Sequence, residues 1–228
     1  YTFSINLPHL IDALQDTIRY GNIKLKNYKK VYSDEDVIQF SVVTLVLPDG
    51  SLVLSFSGTD GSITGWKENL MMTYSKDLPC QILAKDYVKE TIADIPETSY
   101  LFGLKKKKVY PKMYLTGHSK GGNLAMYAYL KNPKLQGYIE GVKSFDGPGF
   151  ADGFWQGDED VSKITNYIPK DSIVGRVLDH REQTKILDAQ GSGLVQHDTL
   201  MWSVDIKDFN YCDALTKESD DLLEYVNK

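Results

Sequence analysis

Tyr114-Leu115-Thr116-Gly117-His118-Ser119-Lys120-Gly121-Gly122-Asn123-Leu124-Ala125 sets a Gly-x-Ser-x-Gly pentapeptide between an apolar run and a helix-forming run. The pattern predicts a buried strand over 112–116, a sharp turn at Ser119, and a helix over 123–130 that stops at Asn132-Pro133. Gly117 and Gly121 remove side chains that would collide with the neighbouring strand or helix. A serine on such a turn is held in a strained backbone conformation with its hydroxyl presented outward. The helix that follows directs its free N–H groups at the serine, where they favour developing negative charge. Ser119 is therefore the leading candidate for a nucleophile. Gly117 to Gly122 also has the step of a phosphate loop, but Asn123-Leu124 stands where Lys-Ser or Lys-Thr is needed, and Gly147-x-Gly149 lacks the third glycine of a dinucleotide site.

Outward from this turn, strands and helices alternate. Val37 to Leu47 and Leu52 to Phe56 read as strands joined through Pro48-Asp49-Gly50, a hairpin signal because Gly50 accepts a positive φ. Leu10, Ile11, Leu14 and Ile18 recur at a helical period, and Gln81 to Ile95 forms a second amphipathic helix. The segment from Pro96 to Tyr110 reads as a linker. After the elbow come strands over Tyr138–Phe145 and Ile164–Ile168. Strand-helix-strand alternation implies a mostly parallel central sheet flanked by helices, an α/β architecture whose reacting groups gather beyond the carboxyl ends of the strands. One domain over 1–228 is expected, with 1–22 as an N-terminal packing helix.

A serine hydroxyl needs a histidine to take its proton and an acid to orient that histidine. Four histidines are available. His9 lies far in sequence from the strand ends, and His118 belongs to the turn itself. His197, in Gly193-Leu194-Val195-Gln196-His197-Asp198, follows both Ser119 and Asp171, giving the chain order Ser, Asp, His, and is preferred over His180. For the acid, Asp171 ends the 164–168 strand region. Asp146 also ends a strand, but Gly147-Pro148-Gly149 suggests a turn role for it. Thr59, in Phe56-Ser57-Gly58-Thr59-Asp60, and Lys120 are the expected oxyanion donors: Lys120 through its main chain, with its side chain in solvent, and Thr59 through N–H and hydroxyl. Phe150, Phe154 and Trp155 are candidates for an apolar acyl-binding wall.

Charge and composition narrow the alternatives. Lys plus Arg number 26 against 31 Asp plus Glu, a net charge of -5 that argues against nonspecific nucleic-acid binding. The exception is Lys105 to Lys108, read as a solvated loop that would allow peripheral contact with anionic headgroups. No apolar run approaches a membrane span. Cys80 and Cys212 match neither a metal spacing nor a disulfide framework, which makes a reducing cytoplasm the default location; no metal or cofactor is expected.

With Phe56 to Asp60, then Trp66 and Asn69, Thr116-Gly117-His118-Ser119-Lys120-Gly121-Gly122, Asp171 and His197 in order, the chain resembles class 3 (fungal-type) lipases over roughly 37–202. The Gly-His-Ser-Lys-Gly-Gly-Asn run and the late Gln-His-Asp are similar to a poorly characterised bacterial family of lipase-like α/β-hydrolases. The resemblance implies an α/β-hydrolase fold, Ser119 as nucleophile, Asp171 as acid, His197 as base, oxyanion donors at Thr59 and Lys120, and a small-molecule acyl ester or lipid substrate. Ser57 departs from the usual arginine, and the stretch between Thr59 and Trp66 is short for a triacylglycerol lipase lid. A thioesterase, acyltransferase or peptidase would use the same groups, and a catalytically silent binding module would keep only the pocket.

Overall fold

In this computed structural model, residues 7–100, 105–217 and 219–221 are described. Helix α1 spans Leu7–Gln15, followed by strands β1 (Lys24–Ser33), β2 (Ile38–Val46) and β3 (Leu52–Phe56). Helices α2 (Ile63–Met71) and α3 (Pro79–Ala93) come next, then a ribbon of β4 (Glu97–Tyr100) and β5 (Lys105–Lys108). Strand β6 (Met113–His118) leads into α4 (Lys120–Leu130), and β7 (Gly141–Phe145), β8 (Ile164–Pro169) and β9 (Gln183–Leu187) complete the set.

Seven strands form one sheet in the order β1-β2-β3-β6-β7-β8-β9. β1, β2 and β3 pair antiparallel, and every neighbour from β3 to β9 runs parallel. The carboxyl ends of β3, β6, β7 and β8 thus share one edge, where α/β sheets place their reacting groups. Leu54, Phe56, Met113 and Leu115 meet Leu124, Met126 and Ala128 in the core, and every residue of α4 is buried. From Leu124 to Leu130 the helix carries no charged side chain, and such a helix needs cover on all sides. The expected hairpin between β2 and β3 forms with Gly50 at φ +83.

Sequence reading missed β1, α2, the β4–β5 ribbon and β9. Lys24, Lys26, Lys29 and Lys30 give β1 the polarity of a loop, yet lysine suits an edge strand because it discourages pairing with a second chain. Lys105 to Lys108 are paired as β5 against β4 rather than lying in a loop, within what had the composition of a linker. Of the expected N-terminal helix, α1 covers Leu7–Gln15, with Leu10 and Ile11 exposed and residues 1–6 outside the described residues. Leu14, in the same stripe, is half-buried.

Candidate active site

Ser119 sits between β6 and α4 with φ 57 and ψ -130, a conformation costly for a residue with a side chain. It persists because its surroundings fix it. The Ser119 N–H donates to Phe145 O at the end of β7 (2.9 Å), and Gly122 N–H donates back to Ser119 O (2.8 Å). The flanking glycines have the expected steric role: a Cβ at Gly117 would lie 2.2 Å from the Gly121 backbone, and one at Gly121 would lie 2.2 Å from Phe56 O. Helix α4 therefore starts in backbone contact with β3.

Beside Phe145 is Asp146, whose own backbone is left-handed at φ 51. Its side chain is 1% exposed. Oδ2 accepts from His197 Nδ1 at 2.6 Å, while Oδ1 accepts from Ser172 Oγ (2.5 Å) and the Gly175 N–H (3.0 Å). A carboxylate fixed by these donors sets the tautomer of His197, leaving Nε2 as the free ring nitrogen. His197 Nε2 has no protein partner among the described residues, and Ser119 Oγ makes no hydrogen bond to it there. His118, adjacent to Ser119 in the chain, donates from Nε2–H to His197 O (2.7 Å), and its ring lies 4.5 Å from that of His197. Burial, and next the neighbouring His197, hold the His118 imidazole below its ordinary pKa, which favours its neutral form.

Asp171 is not the partner of His197. Its Oδ2 accepts from Gln196 Nε2 (3.0 Å), its N–H donates to Gln196 Oε1 (3.0 Å), and its Oδ1 accepts from Thr216 Oγ1. Asp171 braces the residue before His197 rather than His197 itself. The reason is register: Asp146 directly follows the strand adjacent to β6, whereas Asp171 lies one strand farther out and past a turn. The signal available in the sequence was that an acid ended the very next strand after the elbow. His180 has both ring nitrogens occupied, Nδ1 by Glu182 Oε1 (2.6 Å) and Nε2 by Val177 O (3.2 Å). It has no nitrogen to offer a serine.

On the other side of Ser119, Gly58 packs so that a Cβ would meet His118 O at 2.9 Å and Ser119 Cβ at 3.4 Å. This brings the loop carrying Thr59 up to the elbow. The N–H groups of Thr59 and Lys120 have no protein acceptor among the described residues, but the Thr59 hydroxyl is already used, donating to Asn69 Oδ1 (2.9 Å). The Lys120 side chain is not in solvent either. It is 1% exposed and its Nζ contacts Glu68 Oε2 at 2.5 Å, Gln39 O at 2.6 Å and Gln39 Oε1.

Phe150, Phe154 and Trp155 do not line an open wall. They are 2%, 2% and 7% exposed, with Phe150 and Phe154 stacked at 3.9 Å and Trp155 edge-on to both. The loop closes over its own aromatic cluster. The exposed apolar side chains near the site in sequence are Ile63, Trp66 and Leu70 on α2, and Leu194 and Val195 just before His197. Among the described residues no group of His, Cys, Asp and Glu side chains is arranged to hold a metal ion.

This sheet, with a strained serine after a central parallel strand and a carboxylate-held histidine at the same edge, is a class 3 lipase-like α/β-hydrolase fold. The chain belongs to the Mbeg1-like family, whose profile matches residues 14–228. A lipase from Rhizopus microsporus var. chinensis superposes with a TM-score of 0.55 at 12% identity, over 89% of this chain and 70% of that one. A structure described as a fungal lipase gives 0.53 at 14% identity, over 97% and 79%. A mutant form of MDLA from Penicillium cyclopium gives 0.50 at 12%, over 90% and 72%. None of the curated proteins matches the chain. No helix among the described residues is long and apolar enough to cross a membrane.

Proposed function

We propose that this chain is a serine hydrolase that cleaves carboxylic esters through an acyl-enzyme on Ser119, with His197 as general base and Asp146, in place of Asp171, as the acid that orients it. The observation that carries the reading is the 2.6 Å contact from Asp146 to His197 Nδ1, at the sheet edge where a strained Ser119 turns into α4. In this scheme His197 Nε2 takes the Ser119 proton as Oγ attacks the ester carbonyl. The oxyanion forms against the backbone N–H groups of Thr59 and Lys120, and the alcohol leaves with the proton from His197. A water deprotonated by His197 then frees the acid. The acyl chain is expected on the apolar side chains of α2 and of the segment before His197, since the Phe150–Trp155 cluster is closed.

The test is covalent labelling with a fluorophosphonate and location of the adduct by mass spectrometry, alongside hydrolysis of p-nitrophenyl esters. Labelling at Ser119, with Ser119→Ala unlabelled, folded and slower by roughly a thousandfold or more, is the expected result. A folded wild type that takes no label and hydrolyses no ester is a silent binding module.

A further inference from the structure

Between the two proposed oxyanion donors runs a buried polar bridge that the chemistry above leaves unused. Its centre is Gln39, 5% exposed, on β2. Gln39 Nε2 donates to Gly58 O (3.4 Å), and Gln39 Oε1 accepts from the Asp60 N–H (3.4 Å), so one side-chain amide grips the backbone on both sides of Thr59. The same Oε1, and the main-chain O of Gln39, accept from Lys120 Nζ. Lys120 Nζ is also paired with Glu68 on α2, and Glu68 Oε1 in turn accepts from the Gln39 N–H (3.4 Å). Glu68 is fully buried, and the next residue, Asn69, takes the Thr59 hydroxyl.

We propose that Gln39, Lys120 and Glu68 are positioning residues, a side-chain clamp that sets the spacing between the Thr59 and Lys120 N–H groups and fixes α2 against the sheet. This rests on the hydrolase reading. The two donors come from separate elements, the loop after β3 and the first turn of α4, and donors must be held in place before charge develops if they are to lower the barrier. A lone buried charge is costly, and a buried pair gains most when its remaining hydrogen-bonding positions are filled. Here the ammonium has three acceptors on two elements, which gives the pair a fixed geometry.

Gln39→Met keeps the length of the side chain and removes its hydrogen bonds to Gly58, Asp60 and Lys120. With active sites titrated by fluorophosphonate, kcat for p-nitrophenyl butyrate should fall by about 10- to 100-fold while KM stays within about threefold, a smaller loss than deleting a donor outright. Affinity for a butyl trifluoromethyl ketone, whose adduct with a serine carries an oxyanion, should fall by a matching factor. A change confined to folding would lower the titratable fraction and leave kcat per site intact. If Gln39→Met does not fold, Gln39→Glu serves: it keeps an acceptor for Lys120 but sets a carboxylate oxygen against Gly58 O, and should give the same selective loss. Wild type without labelling or ester hydrolysis overturns the hydrolase reading, and the clamp with it. An active wild type whose folded variant keeps kcat and inhibitor affinity within about twofold overturns the clamp alone.

Discussion

Asp146 and Asp171 lie at the ends of neighbouring strands, and the contrast between them locates the proposed chemistry at the level of single atoms. One gives an oxygen to the His197 ring, and the other spends both oxygens on Gln196 and Thr216. Asp146→Asn keeps the shape but favours the wrong imidazole tautomer. It should lower kcat by about 10³- to 10⁴-fold, with the fold intact by circular dichroism. Asp171→Asn keeps an amide that can still bond Gln196 and Thr216, and should cost far less, on the order of tenfold. Parallel kinetics on p-nitrophenyl butyrate decide this, and equal losses would remove Asp146 from its proposed role. Ser119 and His197 were legible in the sequence because a motif and a chain order single them out. Asp146 was not, because Gly147-Pro148-Gly149 gives it the look of a turn residue, and only sheet register shows which strand end faces the histidine.

Elements tell a similar story. The strands around the elbow and helix α4 were legible from apolar runs and from the Asn132-Pro133 stop. Helix α2 was not, because its apolar residues Ile63, Trp66 and Leu70 point outward while Thr64, Gly65 and Glu68 are buried, an inversion of the usual amphipathic pattern. The buried ion pair accounts for that inversion. The contact of α4 with β3 yields a test at the same scale. Gly121→Ala puts a methyl 2.2 Å from the Phe56 carbonyl, and backbone must move to admit it. A loss of about 1–3 kcal/mol or more is expected in urea melts. Gly137→Ala, with nothing within 4 Å of the new methyl, should stay within about 0.5 kcal/mol. Equal stability of the two variants would show that α4 does not rest on the strand as described.

At the scale of the whole molecule, the way α2 is anchored predicts that the lipase-like architecture works here without a gain in rate at an interface. Helix α2 follows the Thr59 loop, and it is held by Glu68 to Lys120, by Asn69 to Thr59, and by Gly65 packed against Thr59 and Gln39. Opening such a helix would carry Glu68 away and leave the Lys120 ammonium buried without its counter-charge. Short and medium acyl esters should therefore be hydrolysed in true solution, with no abrupt gain as substrate passes its aggregation concentration. Rates measured on either side of that concentration, across a chain-length series, check this. A jump confined to emulsified substrate would mean that α2 or another segment moves.

The same burial has a practical consequence. Cys80 has no exposed surface and lies against Glu68, and burial first, then that carboxylate, push its thiol pKa well up, while Cys212 is only partly covered. An alkylating reagent meets Cys212 in the native protein and Cys80 only when the floor beneath α2 comes apart. The chain thus contains its own stopwatch: the lag between the first and second alkylated cysteine, timed by mass, reports how often this part of the interior opens.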